Sequence, residues 1–224
     1  MFVFVVCHQI NQSINQINPS DGTTNFVHRL SLTCVLIAFL VNQQPVVGVI
    51  YDPMAQEMFW AIQGRGAYLQ RQRDDSHEPQ RLQVSSTTDV TQAVVAMDAG
   101  YGRTPAAVNR YIQVQRALLL QRVRHVRTLG CCGLCLAYLA AGRLDGFFEQ
   151  GAWHDNTGPK IWDLAPGYLI VKEAGGVTRD ATDPSTTRNE PLNLLQRSVF
   201  AAATTELAET LMDVIQNAAT ASES

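Results

Sequence analysis

Residues 32–69 read LTCVLIAFLVNQQPVVGVIYDPMAQEMFWAIQGRGAYL, and the rhythm of this stretch decides the architecture. Three runs rich in apolar residues, 32–41, 46–51 and 57–62, are separated by Asn42-Gln43-Gln44-Pro45 and Asp52-Pro53, and Gly64-Arg65-Gly66 precedes a last run closing near Leu69. Strand-length runs bounded by turn residues predict an antiparallel meander of four strands. The polar segment 70–80, rich in Arg, Asp and His, predicts an exposed hairpin loop or linker. It divides the chain into an N-terminal sheet layer, residues 1–80, and a C-terminal layer, residues 81–224.

The second part alternates strand and helix signals, as an α/β layer should. Strands are predicted over 93–97, 123–126, 144–148 and 198–203. Thr104-Pro105 supplies an N-cap and a first-turn proline for a helix with Val108, Tyr111, Ile112, Leu118 and Leu119 on its apolar face. A small-residue helix over 134–141 stops at Gly142, and one over 163–174 stops at Gly175-Gly176, where a left-handed residue can end it. Thr204 or Thr205 caps the last helix, with Leu207, Leu211, Val214 and Ile215 inward. The predicted class is α/β: a layered sandwich in which a meander sheet is followed by a mixed α/β layer. Met1-Phe2-Val3-Phe4-Val5-Val6 predicts one further buried strand.

The formal charge of −3, from 17 Lys and Arg against 20 Asp and Glu, argues against a nucleic-acid groove, because no basic stripe gathers on one element. Arg122, Arg124 and Arg127 flank a short strand, where charges that discourage sheet pairing explain them. No apolar run reaches the roughly 20 residues of a membrane span. Five cysteines, Cys7, Cys34, Cys131, Cys132 and Cys135, form an odd set that favours reduced thiols, so a soluble cytoplasmic protein is expected. The Cys-Cys-x-x-Cys cluster raises zinc, yet no second Cys or His pair stands at finger-like spacing, and packing of a small-residue helix explains it. With so little net positive charge, a small anionic substrate would need metal ions to hold it.

Asn18-Pro19-Ser20-Asp21-Gly22-Thr23-Thr24-Asn25-Phe26 fits that demand. Asp21 is a hard oxygen ligand for a cation such as magnesium. Gly22 lets the backbone turn close to a ligand, and the amides and hydroxyls of Thr23 and Thr24 can open a helix N-terminus on which a phosphate sits. Taken alone, Asp-Gly-Thr-Thr is also an ordinary turn and helix cap. A second element, Trp162-Asp163-Leu164-Ala165-Pro166-Gly167 leading to Glu173-Ala174-Gly175-Gly176, places Asp163 at a helix start, where it can serve as a ligand or simply as an N-cap.

Together the two segments resemble the inositol monophosphatase family of metal-dependent phosphatases, whose signatures read Asp-Pro-Ile-Asp-Gly-Thr-Thr-Asn-Phe and Trp-Asp-x-Ala-x-Gly followed by Glu-Ala-Gly-Gly. Gly64-Arg65-Gly66-Ala67-Tyr68 and the segment from Leu129-Gly130 to Gly142-Arg143-Leu144-Asp145-Gly146-Phe147-Phe148-Glu149 extend the likeness. The resemblance implies magnesium-assisted hydrolysis of a phosphate monoester of inositol or a related sugar. It implies that Asp21 bridges two ions, that the Ser20 carbonyl ligates the first, with the Asn18 position beside it, and that Asp163 ligates the second. Gly22, Thr23 and Thr24 would hold the phosphate, the Thr23 hydroxyl would orient the attacking water, and Glu149 with the Cys131-Cys132 loop would face the alcohol. The expected partner is thus a small phosphate ester, and a homodimer is left open.

Three departures qualify the resemblance. The family has aspartate where this chain has Asn18, so one negative charge is lost and weaker metal binding with impaired turnover is expected. The family's upstream glutamate pair and further aspartate, with the first helical layer that carries them, are expected to be missing. That leaves a phospho-ligand- or partner-binding relative without turnover as the alternative. The stretch from Glu149 to Asp163 is longer than the family's usual link and is expected to reshape the substrate mouth. His28 follows the phosphate motif and is read as a helix-terminus residue, while Trp60 and Tyr51 are read as packing on the meander.

Overall fold

Alternate residues of the meander turn inward, and this period of two assembles the first sheet. The computed structural model describes residues 6–8, 20–73, 78–151, 156–180 and 192–220. The sheet begins with β1 (Val6–His8) and β2 (Ser20–Asp21), followed after α1 (Thr23–Val27) by β3 (Cys34–Val41), β4 (Gln44–Asp52), β5 (Glu57–Ile62), β6 (Gly66–Arg71) and β7 (Gln80–Arg81). The order is β1-β3-β4-β5-β6-β7, with β2 also pairing with β3. The four expected meander strands are present, and β1 adds a parallel partner to β3 while β2 and β7 add short antiparallel ones. Residues 1–5 of the predicted N-terminal strand lie outside the described residues. Leu36, Ala38, Leu40, Ile50, Phe59, Ala61 and Leu69 point inward and are buried. The intervening residues Val35, Ile37, Phe39, Val49 and Trp60 are half-buried, and Trp60 stacks on Tyr68 at 4.6 Å between ring centroids.

The turns follow their residues. Asn42 and Gln43 take φ of 49° and 63°, as a two-residue type I′ hairpin requires. Phe39 pairs with Val47 but Leu40 with Pro45, so Val46 is an extra residue that bulges the strand where proline enters it. Gly64 and Gly66, with φ of 73° and 87°, form the next turn, and their amides each donate to the Glu173 carboxylate at 2.8 Å.

The second sheet contains β8 (Val94–Asp98), β9 (His125–Arg127), β10 (Gly146–Glu149), β11 (Val177–Arg179) and β12 (Val199–Ala202) in the order β11-β12-β10-β8-β9. Strands β9, β8 and β10 run parallel, and β12 is antiparallel to both its neighbours. The helices are α2 (Pro105–Leu120), α3 (Cys132–Ala140), α4 (Ile161–Glu173) and α5 (Thr205–Thr220). Among the described residues, none of the helices is long and apolar enough to cross a membrane.

Helices α3 and α4 are apolar almost all round because they lie between the sheets, in one core cluster with residues of both. Val114 and Leu118 of α2 join Leu207, Leu211 and Ile215 of α5 on the far face of the second sheet. The layers therefore run sheet, helix pair, sheet, helix pair. The predicted layered α/β class is observed, with corrections in detail. The inward face of α2 is Val114 and Leu118, flanked by Tyr111 and Ala117, whereas Val108, Ile112 and Leu119 are 39%, 51% and 56% exposed. The facing α5 and β9 select the stripe through Tyr111, Val114 and Leu118, one of two that a 3.6-residue period allows. Helix α3 starts two residues earlier than predicted and ends before Gly142, whose φ is 67°. The strand predicted over 123–126 is displaced to His125–Arg127, at the sheet edge, with Arg122, Arg124 and Arg127 exposed around it.

Close approach between layers depends on glycine. A Cβ at Gly48 on β4 would lie 2.8 Å from the Pro166 carbonyl oxygen and 2.9 Å from its Cα, backbone atoms that cannot swing aside. Overpacking of this kind costs about 1–3 kcal/mol. Gly48→Ala is therefore expected to lower the free energy of unfolding by that amount, seen as a lower midpoint at unchanged slope in urea titrations followed by circular dichroism.

Candidate active site

The site forms where α1, α3 and α4 begin. Asp21 ends β2, opposite Cys34 in the antiparallel register with β3. Gly22 follows with φ 76°; a side chain there would meet the Leu32 carbonyl oxygen at 2.4 Å, so this turn requires glycine. The chain then enters α1 with Thr23 and Thr24 exposed. The amide of Phe26 bonds back to the Gly22 carbonyl at 2.9 Å, so the amides of Thr23, Thr24 and Asn25 precede the first intrahelical bond.

The Asp21 carboxylate is tied to two turns at once. Oδ1 accepts from the Gly22 amide at 2.7 Å, and Oδ2 accepts from the Gly133 amide in the first turn of α3, also at 2.7 Å. The Cys131 thiol donates to the same Oδ2 at 3.4 Å. Asn25 fastens the neighbouring loop: its Nδ2 donates to the carbonyls of Leu32 at 2.9 Å and Leu129 at 2.8 Å. In α4, Asp163 is the third helical residue rather than the first, with Lys160 as N-cap. Its Oδ2 accepts from the Lys160 amide at 2.9 Å, which holds the carboxylate over the helix start and satisfies one of the free amides there.

Two more carboxylates complete the centre. Asp98 and Glu149 face each other as the last residues of the parallel strands β8 and β10, the carboxyl ends at which α/β sheets hold ligands. Both are buried, at 7% exposure. Asp98 accepts from the Gly130 amide at 3.0 Å and from the Cys135 thiol at 3.7 Å. Asp98 escapes the sequence reading because a lone acid ending an apolar strand carries no motif. The one local signal was its place at the end of a short apolar strand; its pairing beside Glu149 is set by the parallel register of β8 with β10.

Electrostatics shows that these groups share one environment. Burial, and then the charge of Asp21, push the Asp163 carboxyl up to about 7, although the Lys160 amide and the charges of Lys160 and Arg197 pull it down. Burial followed by the charges of Asp98, Asp21 and Asp163 holds Glu149 well above the usual carboxylate range. Burial also raises Asp21 and Asp98, and the charge of Asp21 adds to the rise at Asp98. Cys132 lies among them: burial and then Glu149, Asp21 and Asp163 push its thiol up. Hard oxygen donors that repel one another in a buried centre fit a divalent cation, whose charge would remove that repulsion.

Sequence and structure differ over some candidates. Asn18 lies outside the described residues, as do residues 152–155 of the long link after Glu149. Ser20 is exposed beside Asp21. Cys131 is only 1% exposed, with its thiol aimed at Asp21 and Cys34 rather than outward. His28 occupies the C-cap of α1, and Trp60 packs on the meander as expected.

Fold and centre together define a layered α/β protein built around a buried acidic site suited to a divalent cation. Comparison with known proteins gives the family. The inositol monophosphatase family model matches residues 12–220, and the chain belongs to that family. It is 35% identical over 200 residues to inositol monophosphatase 1 of Sus scrofa, covering 89% of this chain and 65% of that protein. It is 41% identical over 165 residues to inositol monophosphatase 2 of Solanum lycopersicum, covering 73% and 56%. The chain thus spans less than two thirds of the length of these curated relatives. The extragenic suppressor protein SuhB of Bartonella henselae superposes with a TM-score of 0.72 at 31% identity, covering 88% of this chain and 68% of that one. SuhB of Mycobacterium tuberculosis does so with the same score at 28% identity, covering 90% and 70%.

Raised carboxyl pKa values favour the folded state where these acids are protonated. That stability is fully present below the unfolded values near 4 and is lost as pH rises through the folded ones, about 7 for Asp163. The metal-free chain is therefore expected to melt at a higher temperature at pH 5 than at pH 8. Millimolar magnesium is expected to shrink the difference by stabilising the chain at pH 8. Differential scanning calorimetry at both pH values checks this; equal metal-free melting temperatures would contradict the described electrostatics.

Proposed function

We propose that this chain hydrolyses a phosphate monoester of inositol or a related sugar alcohol with the help of magnesium. One observation carries the reading: Asp21 and Asp163, remote in sequence, each stand half-buried at a helix start within electrostatic reach of each other and of the buried Asp98 and Glu149. Family membership supports the reaction class. The two relatives named above carry the name inositol monophosphatase, which makes inositol phosphate the first substrate to try.

Asp21, Asp163 and the Ser20 carbonyl, with the Asn18 side chain, would hold the cation. When bound, magnesium supplies positive charge against the phosphate oxygens and the leaving alkoxide and makes bound water more acidic. The remaining work falls to the protein. The left-handed Gly22 turns the chain so that the first amides of α1 are available to phosphate oxygens. The Thr23 hydroxyl would orient the water. Glu149 and the Cys131-Cys132 loop would contact the alcohol, and the longer link after Glu149 would shape the mouth that selects it.

A second reading, capture of a phosphorylated ligand without turnover, is favoured by Asn18. An amide oxygen brings no charge, and two divalent ions beside a phosphate dianion need carboxylates to offset their repulsion.

The decisive test is Asp21→Asn, which removes a charge with little change in size. Hydrolysis of inositol 1-phosphate and of 4-nitrophenyl phosphate is expected to fall at least a hundredfold while circular dichroism stays unchanged, and an undiminished rate would refute the assignment. Separately, Asn18→Asp is expected to tighten magnesium binding about tenfold by isothermal titration calorimetry, as an added carboxylate should. Turnover that rises along with the affinity favours the enzyme reading; tighter binding of inositol phosphate without turnover favours the second.

A further inference from the structure

Cys131, the N-cap of α3, acquires a partner that the sequence does not place beside it. Cys34, the first residue of β3, is paired across the strands with Asp21. Its Sγ lies 3.5 Å from Cys131 Sγ, and Cys131 Sγ in turn lies 3.4 Å from Asp21 Oδ2. Sulfur, sulfur and carboxylate oxygen all fall within 4.8 Å of one another. The two thiols are buried at 2% and 1% exposure, whereas Asp21 is only partly buried.

Two of these three separations match a specific ligand chemistry. Tetrahedral zinc with Zn–S of about 2.3 Å and Zn–O of about 2.1 Å sets sulfurs about 3.8 Å apart and sulfur from oxygen about 3.6 Å apart. The observed 3.5 and 3.4 Å are each within a few tenths of an ångström of those edges. Two thiolates with one carboxylate select a thiophilic ion over magnesium, which takes oxygen ligands in octahedral array.

We propose that Cys34, Cys131 and Asp21 form a three-ligand site for a thiophilic divalent ion, zinc or a close analogue, with a water as the fourth ligand. The carboxylate distinguishes this site from a simple thiol pair, which would leave Asp21 outside the chemistry. Each thiol gives its proton to solvent as its sulfur takes the metal, so one zinc ion releases two protons. Because Asp21 is shared, zinc excludes magnesium from that carboxylate. The binding stands by itself; this exclusion becomes inhibition of turnover only if the proposed phosphatase reading holds.

Cobalt(II) is the probe, since thiolate ligation gives it an intense near-ultraviolet charge-transfer band that oxygen ligands alone do not. The full chain, kept reduced with a phosphine, is titrated with cobalt chloride in excess magnesium, and zinc chloride is then added. The expected result is a band that saturates at one cobalt per chain, is bleached by zinc, and is lost in Cys34→Ser and in Cys131→Ser but kept in Cys135→Ser. Absence of the band in the unsubstituted chain overturns the proposal. So does a band that survives both Cys34→Ser and Cys131→Ser. Circular dichroism confirms that each variant is folded, and Cys34→Ala serves as a second removal of that ligand. Zinc inhibition of phosphate-ester hydrolysis, relieved at least tenfold by Cys34→Ser, is a separate readout, so a chain without turnover leaves the spectroscopic result intact.

Discussion

Asp21, Asp98, Glu149 and Asp163 are held within electrostatic reach of one another in a buried centre, and much of the architecture around them answers the repulsion that results. Backbone amides offset part of it: Gly22 and Gly133 donate to Asp21, Gly130 to Asp98, and Lys160 to Asp163. The amides of Gly133 and Lys160 come from helix starts, where donors lack intrahelical partners and the helix dipole favours negative charge. Amides alone leave the carboxyls raised, as the position of Asp163 near 7 shows. The remaining imbalance is what a bound cation would offset.

Such a centre demands a stiff support, because small shifts would let the carboxylates drift apart or let water between them. The support is the helix pair α3 and α4, buried between the sheets and fixed at both ends. Glu173, at the end of α4, grips the amides of the β5–β6 turn. Beyond α3, Arg143 forms a two-pronged pair with Glu57 at 2.6 and 2.7 Å and lies over the rings of Phe59 and Tyr138. Both nitrogens of the fork are used and the carboxylate is largely shielded, so this pair contributes more than an exposed one. Tyr138 of α3 also donates to Asp52 at 3.1 Å. Gly133 and Gly167 permit the approach: a Cβ on the first would press on Leu36 and Cys34, and on the second upon Leu136.

The cysteines around this centre divide by what they touch. Cys135 donates to Asp98, and Cys131 is shared between Asp21 and Cys34. Each thiol offers a weak hydrogen bond to a carboxylate where a hydroxyl would offer a stronger one. Soft sulfur atoms thus stand beside hard carboxylate oxygens.

The sequence by itself determined the local elements and the two motifs. Strand-length apolar runs separated by turn residues in 32–69 were enough for the meander, because run length and turn chemistry are both local. Thr104-Pro105, Gly142 and Gly175 marked helix ends for the same reason: caps and left-handed residues act within one turn. Asp21 and Asp163 stood out because their surrounding signatures are local strings. The inward face of α2 was decided by what packs on it, since Val108, Ile112 and Leu119 offer as regular a stripe as Tyr111, Val114 and Leu118. Asp98 became part of the centre only through the parallel register of β8 with β10, and Cys34 met Cys131 only when β3 and α3 closed on Asp21. Such meetings belong to contacts between distant segments, whose geometry is fixed by the packing of whole layers and written in no single stretch of the chain.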